Sequence, residues 1–314
     1  MKTRTYLLLM LAAILIPVAF LSFSGLYMLL QSERESRIQR VAEIAHSTSL
    51  LIDSEIMAAE ASLRNVANSP SMRAEDFAEL HRLLSATRTS PLSWTLIADY
   101  AGSGMMNTLV PYGTPLAVKS GPWAAKAYDA QATQVGGYFL GATSKRGVVA
   151  VNVPVPAALG KKYVIAQIFD PRYFDKIFHK NTLQPGWIIG VFDANGISIA
   201  RNVNAARLVG RKVNPSLYAA TRQEAGGMVR HTTRDGIDVY DVFVRSELSG
   251  WTVAIGMPVE EVEQAARVTT FYAALSLLSV LGAAVGIAVF FGRRIDNSLR
   301  EATSAAQALA HDKM

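Results

Sequence analysis

Two long apolar runs stand out in the pattern of hydrophobic and polar positions along the chain. Neither residues 6–30 nor residues 268–292 contain a charged side chain. A helix as long as either run rises about 37 Å, which exceeds the roughly 30 Å hydrocarbon core of a bilayer. The pattern therefore predicts two membrane-spanning helices, with a large polar segment between them.

Basic residues at the outer ends of the two runs predict the topology. Lys2 and Arg4 precede the first run, and Arg293 and Arg294 follow the second. The positive-inside rule then places residues 1–5 and 293–314 in the cytoplasm, and residues 31–267 outside a bacterial inner (plasma) membrane. A cleaved signal peptide is the alternative for the first run. An uncleaved anchor is favoured, because the run is longer than a usual signal core and lacks an Ala-x-Ala exit.

A long amphipathic helix is predicted directly after the first span. Its apolar positions are spaced by three or four, and Asn68-Ser69-Pro70 ends it. The stripe can pack on its own domain or against a second copy in a homodimer, and both can hold along one helix. A second, short helix is predicted over residues 75–86, so residues 31–91 are helical overall. The stripe consists of Ile38, Val41, Ala45, Thr48, Ile52, Ile56, Ala59, Leu63 and Val66.

From residue 92 onward the pattern changes to short β-rich runs, and it occurs twice. Residues 93–99 read as a strand, the turn at 100–102 follows, and a second strand begins at 105. Residues 186–201 repeat this hairpin, with Asp193 in the place of Asp99. Each hairpin is followed later by a second strand pair, 148–154 with 163–168 and 239–244 with 251–256. The segment therefore predicts two tandem antiparallel sheets in an α+β fold.

In the order and spacing of these features the chain resembles the double Cache sensors, which carry two PAS-like sheet modules between two membrane spans. The local matches are residues 94–116 and 148–154 for the membrane-distal module, and residues 192–201 and 250–258 for the membrane-proximal one. The resemblance implies a distal module at 92–183 and a proximal module at 184–267. It also implies a homodimer that binds a small molecule outside the cell and signals through the membrane.

Composition narrows the classes of function. The net charge is +6, but no long Lys/Arg run indicates a nucleic-acid partner. The absence of cysteine excludes disulfides, thiolate nucleophiles and Cys-ligated metals. The five histidines show no metal-ligand spacing, and no hydrolase elbow or nucleotide-binding loop is present. Asp99 and Asp193 are interpreted as turn residues rather than as a catalytic pair. Neither a metal nor a cofactor is expected, and no catalytic domain is recognised.

The resemblance implies a ligand pocket on the concave sheet face of the first module, covered by residues 112–138. This cover contains Trp123, Tyr128 and Tyr138, whose amphipathic rings suit a small organic ligand and would equally suit a core. Lys145 and Arg146 precede the next strand, and Asn152 lies on it. These three residues would favour an organic anion if they reach the pocket. The alternative for the two basic residues is a solvated turn.

The amino-acid-binding version of the family is expected to carry an Arg before Pro-Trp and an Asp two residues after the Tyr. Here Gly121 precedes Pro122-Trp123, and Leu140 stands two residues after Tyr138. The groups that would hold an amino acid's carboxylate and ammonium are missing. An amino-acid ligand is therefore not expected.

Residues 295–310 form a further amphipathic pattern that resembles the first helix of a HAMP linker, although Ser298 stands where that family often has proline. The sequence contains no phospho-acceptor box, cyclase sequence or chemoreceptor hairpin. By analogy with other proteins that carry this sensor, the expected output is a histidine kinase of a two-component system. Diguanylate cyclases, chemoreceptors and a non-catalytic membrane anchor or scaffold are the alternatives. An extracytoplasmic hydrolase would need a catalytic cluster that the sequence does not show.

Overall fold

The computed structural model describes residues 3–116, 123–156, 161–178 and 184–311. The chain divides into two compact units, Ile38–Val259 and the pair of segments Met1–Arg37 and Glu260–Met314. The helices are α1 (Thr3–Ala67), α2 (Pro70–Arg73), α3 (Phe77–Ala86), α4 (Trp123–Asp129), α5 (Asp175–Phe178), α6 (Ala205–Leu208), α7 (Pro215–Gln223) and α8 (Val259–His311). The strands are β1 (Ser93–Asp99), β2 (Gly104–Asn107), β3 (Gln134–Val135), β4 (Phe139–Leu140), β5 (Gly147–Pro154), β6 (Tyr163–Phe169), β7 (Ile188–Phe192), β8 (Ser198–Arg201), β9 (Gly226–Thr232), β10 (Asp238–Arg245) and β11 (Thr252–Pro258).

The long helix α1 buries the stripe that the sequence predicts. Seven stripe residues between Val41 and Leu63 are at most 9% exposed, and Ile38 and Val66 at its ends are half-buried. The stripe therefore packs on its own unit. α1 ends at Ala67, where Asn68 Nδ2 donates to the Arg64 carbonyl oxygen. Ser69 then caps α2, and Pro70 occupies its first position, where no backbone N–H is needed.

The first sheet has the strand order β2-β1-β6-β5-β3, with β4 added to β5, and its named pairings are antiparallel. Its inner strands β1, β5 and β6 are largely apolar and mostly buried along their whole length, which fits burial on both faces. Asp99 Oδ1 accepts the Ser103 N–H in the β1–β2 turn, where Gly102 has φ +89°. The turn role predicted for Asp99 and the glycine is what the structure shows.

The second sheet repeats this arrangement. Its order is β8-β7-β11-β10-β9, so that each strand has a counterpart at the same place in the first sheet. Helix α7 covers one face, where Leu217 packs with Phe192, Phe243 and Ala254. The α+β class and the two antiparallel sheets are thereby confirmed. Strand β9 and helix α7 lie in a stretch for which the sequence pattern made no prediction.

The connection between the two sheets is anchored by aromatic packing and by polar contacts to α1. A 3-10 turn at Pro171–Phe174 leads into α5. The Phe174 ring is buried, 5.7 Å from the ring of Phe169 and 5.6 Å from that of Trp251. Glu55 of α1 accepts from the Tyr173 hydroxyl at 2.6 Å and pairs with Lys176 at 2.8 Å. These contacts tie the connection to the helix.

Among the described residues, one helical segment, Thr270–Ile287 in α8, is long and apolar enough to cross a membrane, and none of it is buried. It coincides with the second predicted span. The first predicted span lies in α1, but most of its side chains lie outside those that the structure describes. The same holds for the side chains of the HAMP-like pattern at 295–310, where the backbone is helical as far as His311.

Two positions on α1 test whether the buried stripe stabilises the unit. Ile56 is 1% exposed, whereas Ser62 is exposed. We expect Ile56→Ala to lower the free energy of unfolding by roughly 2 to 5 kcal/mol, because it removes buried methyl groups and leaves a cavity. Ser62→Ala, the control, lies at an exposed position beside the buried stripe and should change it by less than about 0.5 kcal/mol. Denaturant unfolding followed by tryptophan fluorescence measures both. Equal effects would contradict the packing described here.

Candidate ligand-binding cavity

A cavity of about 310 Å³ lies on one face of the first sheet. Its floor comes from three adjacent strands, because residues in direct register project to the same face. Trp94 and Leu96 of β1 stand opposite Ile168 and Ala166 of β6, and these stand opposite Ala150 and Asn152 of β5. The two alanines between larger neighbours leave the space that forms the cavity.

The roof is built from the segments that cross this face. Leu116 and Trp123 flank residues 117–122, which lie outside the described residues. Trp123 begins α4. Ala124, Ala127 and Tyr128 of this helix pack on Val164 of β6 and so fix the helix against the first sheet. The remaining wall is rich in small residues, and so the backbone itself comes close to the space. It includes Gly136, Gly137, Tyr138, Phe139, Gly141, Ala142, Thr143 and Ser144.

None of the described lining residues carries a charge. Hydrogen-bonding groups come from side chains such as Asn107, Asn152, Thr143 and Ser144. Asn152 Nδ2 donates to the Gln134 carbonyl oxygen at 3.3 Å, which fixes the amide beside the cavity. Across the described part of the chain, no group of three or more His, Asp or Glu side chains could hold a metal ion. The cavity is chemically suited to an organic molecule with a few polar atoms.

Three of the six predicted ligand-binding residues line this cavity: Trp123, Tyr138 and Asn152. The other three are not among its described lining residues. The Tyr128 ring is buried 5.9 Å from that of Tyr100, in the cluster that holds α4. Lys145 and Arg146 are exposed in the turn before β5, where Lys145 has φ +55°. Their positions match the solvated turn that was the alternative interpretation.

The positions that distinguish amino-acid-binding relatives are only partly described. Leu140, which stands where an Asp is expected, is 69% exposed on β4 and does not line the cavity. Gly121 and Pro122 lie outside the described residues. The described wall therefore presents neither a carboxylate for an ammonium group nor a cation for a carboxylate.

The β7–β8 turn of the second sheet completes the wall of the cavity. Asn195 of this turn is a lining residue. Asp193, only 2% exposed, accepts the Asn195 and Ile197 N–H groups through Oδ1 and the Tyr138 N–H through Oδ2 at 2.9 Å. Its carboxylate thus shapes its own turn and also binds the first sheet's wall. We call this contact the Asp193 seam.

Glycines allow the close approach at the seam. A Cβ at Gly137 would come very close to Asp193 Oδ2, inside any normal contact distance. The Tyr138 ring lies against two further glycines, Gly147 of β5 and Gly210 in the loop between α6 and α7, where a Cβ would overlap it. The sequence showed Asp193 only as a turn residue, since a contact between residues so far apart leaves no local pattern. Asn107 and Asn195 were missed for the same reason.

No family model matches the sequence, and no curated protein matches it significantly. Solved structures do match the fold. The extracellular domain of the putative histidine kinase rpHK1S-Z16 aligns over 74% of this chain and 97% of its own, at 16% identity and a TM-score of 0.57. The aligned part of the chain has the double Cache fold.

Two chemoreceptor domains match over a similar length. The ligand-binding domain of Campylobacter jejuni Tlp3, solved with L-valine, covers 74% of this chain and 97% of its own, at 12% identity and a TM-score of 0.54. The domain of the Pseudomonas aeruginosa amino-acid chemoreceptor PctB, solved with L-Arg, covers 72% and 97%, at 17% identity and a TM-score of 0.52. At such identities the likeness concerns the fold.

A pair of adjacent glycines tests the Asp193 seam. Gly137→Ala should lower the free energy of unfolding by roughly 1 to 3 kcal/mol, because the new methyl group overlaps the Asp193 carboxylate. It should also speed amide hydrogen exchange at Tyr138, whose N–H the carboxylate accepts. Gly136→Ala is the control, since its methyl group would meet nothing closer than the Ala150 carbonyl oxygen at 3.3 Å. The seam would be disproved if both variants gave the same exchange rate at Tyr138.

Proposed function

We propose that this chain is the sensor part of a transmembrane receptor that binds a small molecule in the cavity of its first sheet. The observation that carries the proposal is the cavity itself. It measures about 310 Å³, has two tryptophans in its walls, and lies in a fold shared with the sensor domains of histidine kinases and chemoreceptors. Pockets that bind small organic molecules have this size and this mostly apolar lining.

The lining favours a neutral ligand with aromatic or apolar character. Trp94 and Trp123 offer ring faces for stacking, and Asn152 and Asn195 offer amides that can donate or accept. Burying an unpaired carboxylate or ammonium in a wall without charge would cost several kcal/mol. This distinguishes the chain from neighbours solved with amino acids. An organic anion, as Lys145 and Arg146 first suggested, is the second candidate.

The Asp193 seam is the route by which we expect occupancy to be transmitted. A ligand that contacts Tyr138 and Asn195 touches both sides of the seam at once. Movement of the β7–β8 turn would be passed along the second sheet, because β7 pairs with β11. β11 runs directly into α8, which carries the predicted span. A small displacement of that helix would bias a two-state cytoplasmic output.

The cytoplasmic output that we favour is a sensor histidine kinase. A diguanylate cyclase or a chemoreceptor is the alternative. The chain would cross the bacterial inner membrane twice through residues 6–30 and 268–292, with residues 31–267 outside and both termini in the cytoplasm. The charge pattern at the ends of the two runs supports this topology. A non-catalytic membrane anchor or scaffold is a further alternative, and it would not need the cavity.

A homodimer is supported by a second stripe on α1, opposite to the buried one. Its residues are exposed and spaced by three and four, which is the pattern of a parallel coiled-coil seam with small and apolar side chains. Leu50 is 55% exposed and Met57 is 53% exposed. The exposed stripe consists of Ser47, Leu50, Ser54, Met57 and Ala61.

Ligand binding is tested with the full chain in nanodiscs and a broad metabolite panel read by thermal shift. We expect at least one neutral organic compound to raise the melting temperature. Asn152→Leu should weaken its binding by about tenfold or more, because it removes a polar group beside the cavity. Arg146→Ala, at an exposed position, should leave the affinity unchanged. Loss of binding in Arg146→Ala would favour the anionic ligand, and a wholly negative panel would count against direct sensing.

The absence of native cysteine allows topology and dimer to be tested together with single-cysteine variants. Ser54→Cys should be labelled by an impermeant thiol reagent from outside and should form a disulfide with a second copy on oxidation. Thr114→Cys, exposed but far from the stripe in sequence, should be labelled without cross-linking. Ser304→Cys should be labelled only after the membrane is permeabilised. Labelling of Ser304→Cys in intact cells would overturn the topology, and absence of cross-linking at Ser54→Cys would count against this dimer.

A further inference from the structure

The second sheet encloses a cavity of its own, of about 60 Å³. Its apolar wall is formed by Phe192, Leu217 and Ala254, which belong to the cluster beneath α7. Gly190 of β7 forms part of the floor, opposite Arg201 on one side and Ala254 on the other. Because Gly190 has no side chain, the sheet surface stays open at this point.

Polar groups gather at the other end of this cavity. The His231 side chain is 4% exposed, and its Nε2 lies 2.5 Å from Asp241 Oδ2. The Arg201 side chain is 13% exposed and is ion-paired with Asp235. Both residues line the cavity, and each still has a buried nitrogen, His231 Nδ1 and Arg201 Nε, without a hydrogen-bond partner in the described structure. Two buried donors at one small space call for an acceptor there.

The charge around this space favours an anion. Arg201, Arg234 and His231 line the cavity, and Asp241 is the one carboxylate among the described lining residues. Asp235 is ion-paired with both Arg201 and Arg207, so that three arginines in all stand beside two carboxylates, Asp235 and Asp241. Burial opposes charge on the imidazole, but the hydrogen bond and charge of Asp241 outweigh it and raise the His231 pKa. The Thr232 backbone adds a weaker contact to this effect, one that does not meet hydrogen-bond geometry and so leaves His231 Nδ1 without a full partner.

We propose that the second cavity binds a small monoanion, namely a carboxylate of one to three carbons such as formate, acetate or propionate. The carboxylate would accept from Arg201 and His231, and a short alkyl group would lie against Phe192, Leu217 and Ala254. At about 60 Å³ against about 310 Å³, the cavity is roughly a fifth as large as the first one, which favours a ligand of few atoms. This site differs from the first cavity in its residues, its size and its charge.

Gly190 provides a variant that fills the cavity without replacing a charged residue. A Cβ built there meets only the Ala200 carbonyl oxygen, at 3.7 Å, which is ordinary contact. Valine at this strand position should therefore be tolerated while its methyl groups occupy the space. Gly190→Ala is the smaller version, should the larger variant fold poorly.

The experiment titrates the full chain in nanodiscs with sodium acetate and follows it by calorimetry and thermal shift. Sodium gluconate at equal ionic strength is the reference, because gluconate is a much bulkier carboxylate of the same charge. We expect saturable acetate binding in the natural chain, at least tenfold weaker binding in Gly190→Val, and an intermediate effect in Gly190→Ala. Formate should compete with acetate.

Asn152→Leu, in the first cavity, should leave acetate binding unchanged, so that failure of the proposed sensor function and failure of this site can be told apart. The proposal is overturned if acetate gives no saturable response beyond that of gluconate, which would mean that water satisfies the two donors. It is equally overturned if folded Gly190→Val binds acetate as the natural chain does.

Discussion

The fold depends most directly on one buried carboxylate, that of Asp193. A carboxylate withdrawn from water is costly unless its oxygens are satisfied, and here three backbone N–H groups satisfy them. Two come from its own turn, and the third comes from Tyr138 in the wall of the first cavity. The same group therefore fixes a turn of the second sheet and holds a wall of the first. Neither sheet can change at this point without changing the other.

Helix α1 provides the second constraint, because its polar positions contact both halves of the unit. Asp53 accepts from the Ser246 hydroxyl beside the second sheet, at 2.8 Å. Glu55 binds the connection through Tyr173, and Glu60 accepts from the Thr133 hydroxyl beside the first sheet, at 2.6 Å. Burial raises the Asp53 pKa despite the two serine hydroxyls that favour its charged form. With its apolar stripe buried alongside, α1 works as a common support for both sheets.

Features with a local period could be predicted from the sequence, whereas features made by distant residues could not. The buried stripe from Val41 to Leu63 and the two Asp-turn hairpins follow from spacing that is visible in a short window. Tyr128 and Tyr138 look alike in sequence, yet one supports α4 and the other lines the cavity. Their difference depends on which strand each meets. Asn195 reaches the first cavity only because the two sheets dock at Asp193, and no local signal carries that information.

The duplicated sheet shows how one topology yields two cavities of different chemistry. At matching register, β5 presents Asn152 opposite Ala166 and β10 presents Phe243 opposite Ala254, so an aromatic ring fills the second sheet where the first stays open. The larger space keeps an uncharged wall, which suits a neutral molecule bound by ring faces and amides. In the smaller one, buried Arg201 and His231 have the residual donors that an anion would satisfy. Because β7 runs between the Asp193 turn and the floor at Gly190, occupancy of either cavity would act on the same strand. Two ligands of different charge would then be coupled through β7. The coupling free energy could not exceed the difference in each ligand's affinity for the two positions of that strand.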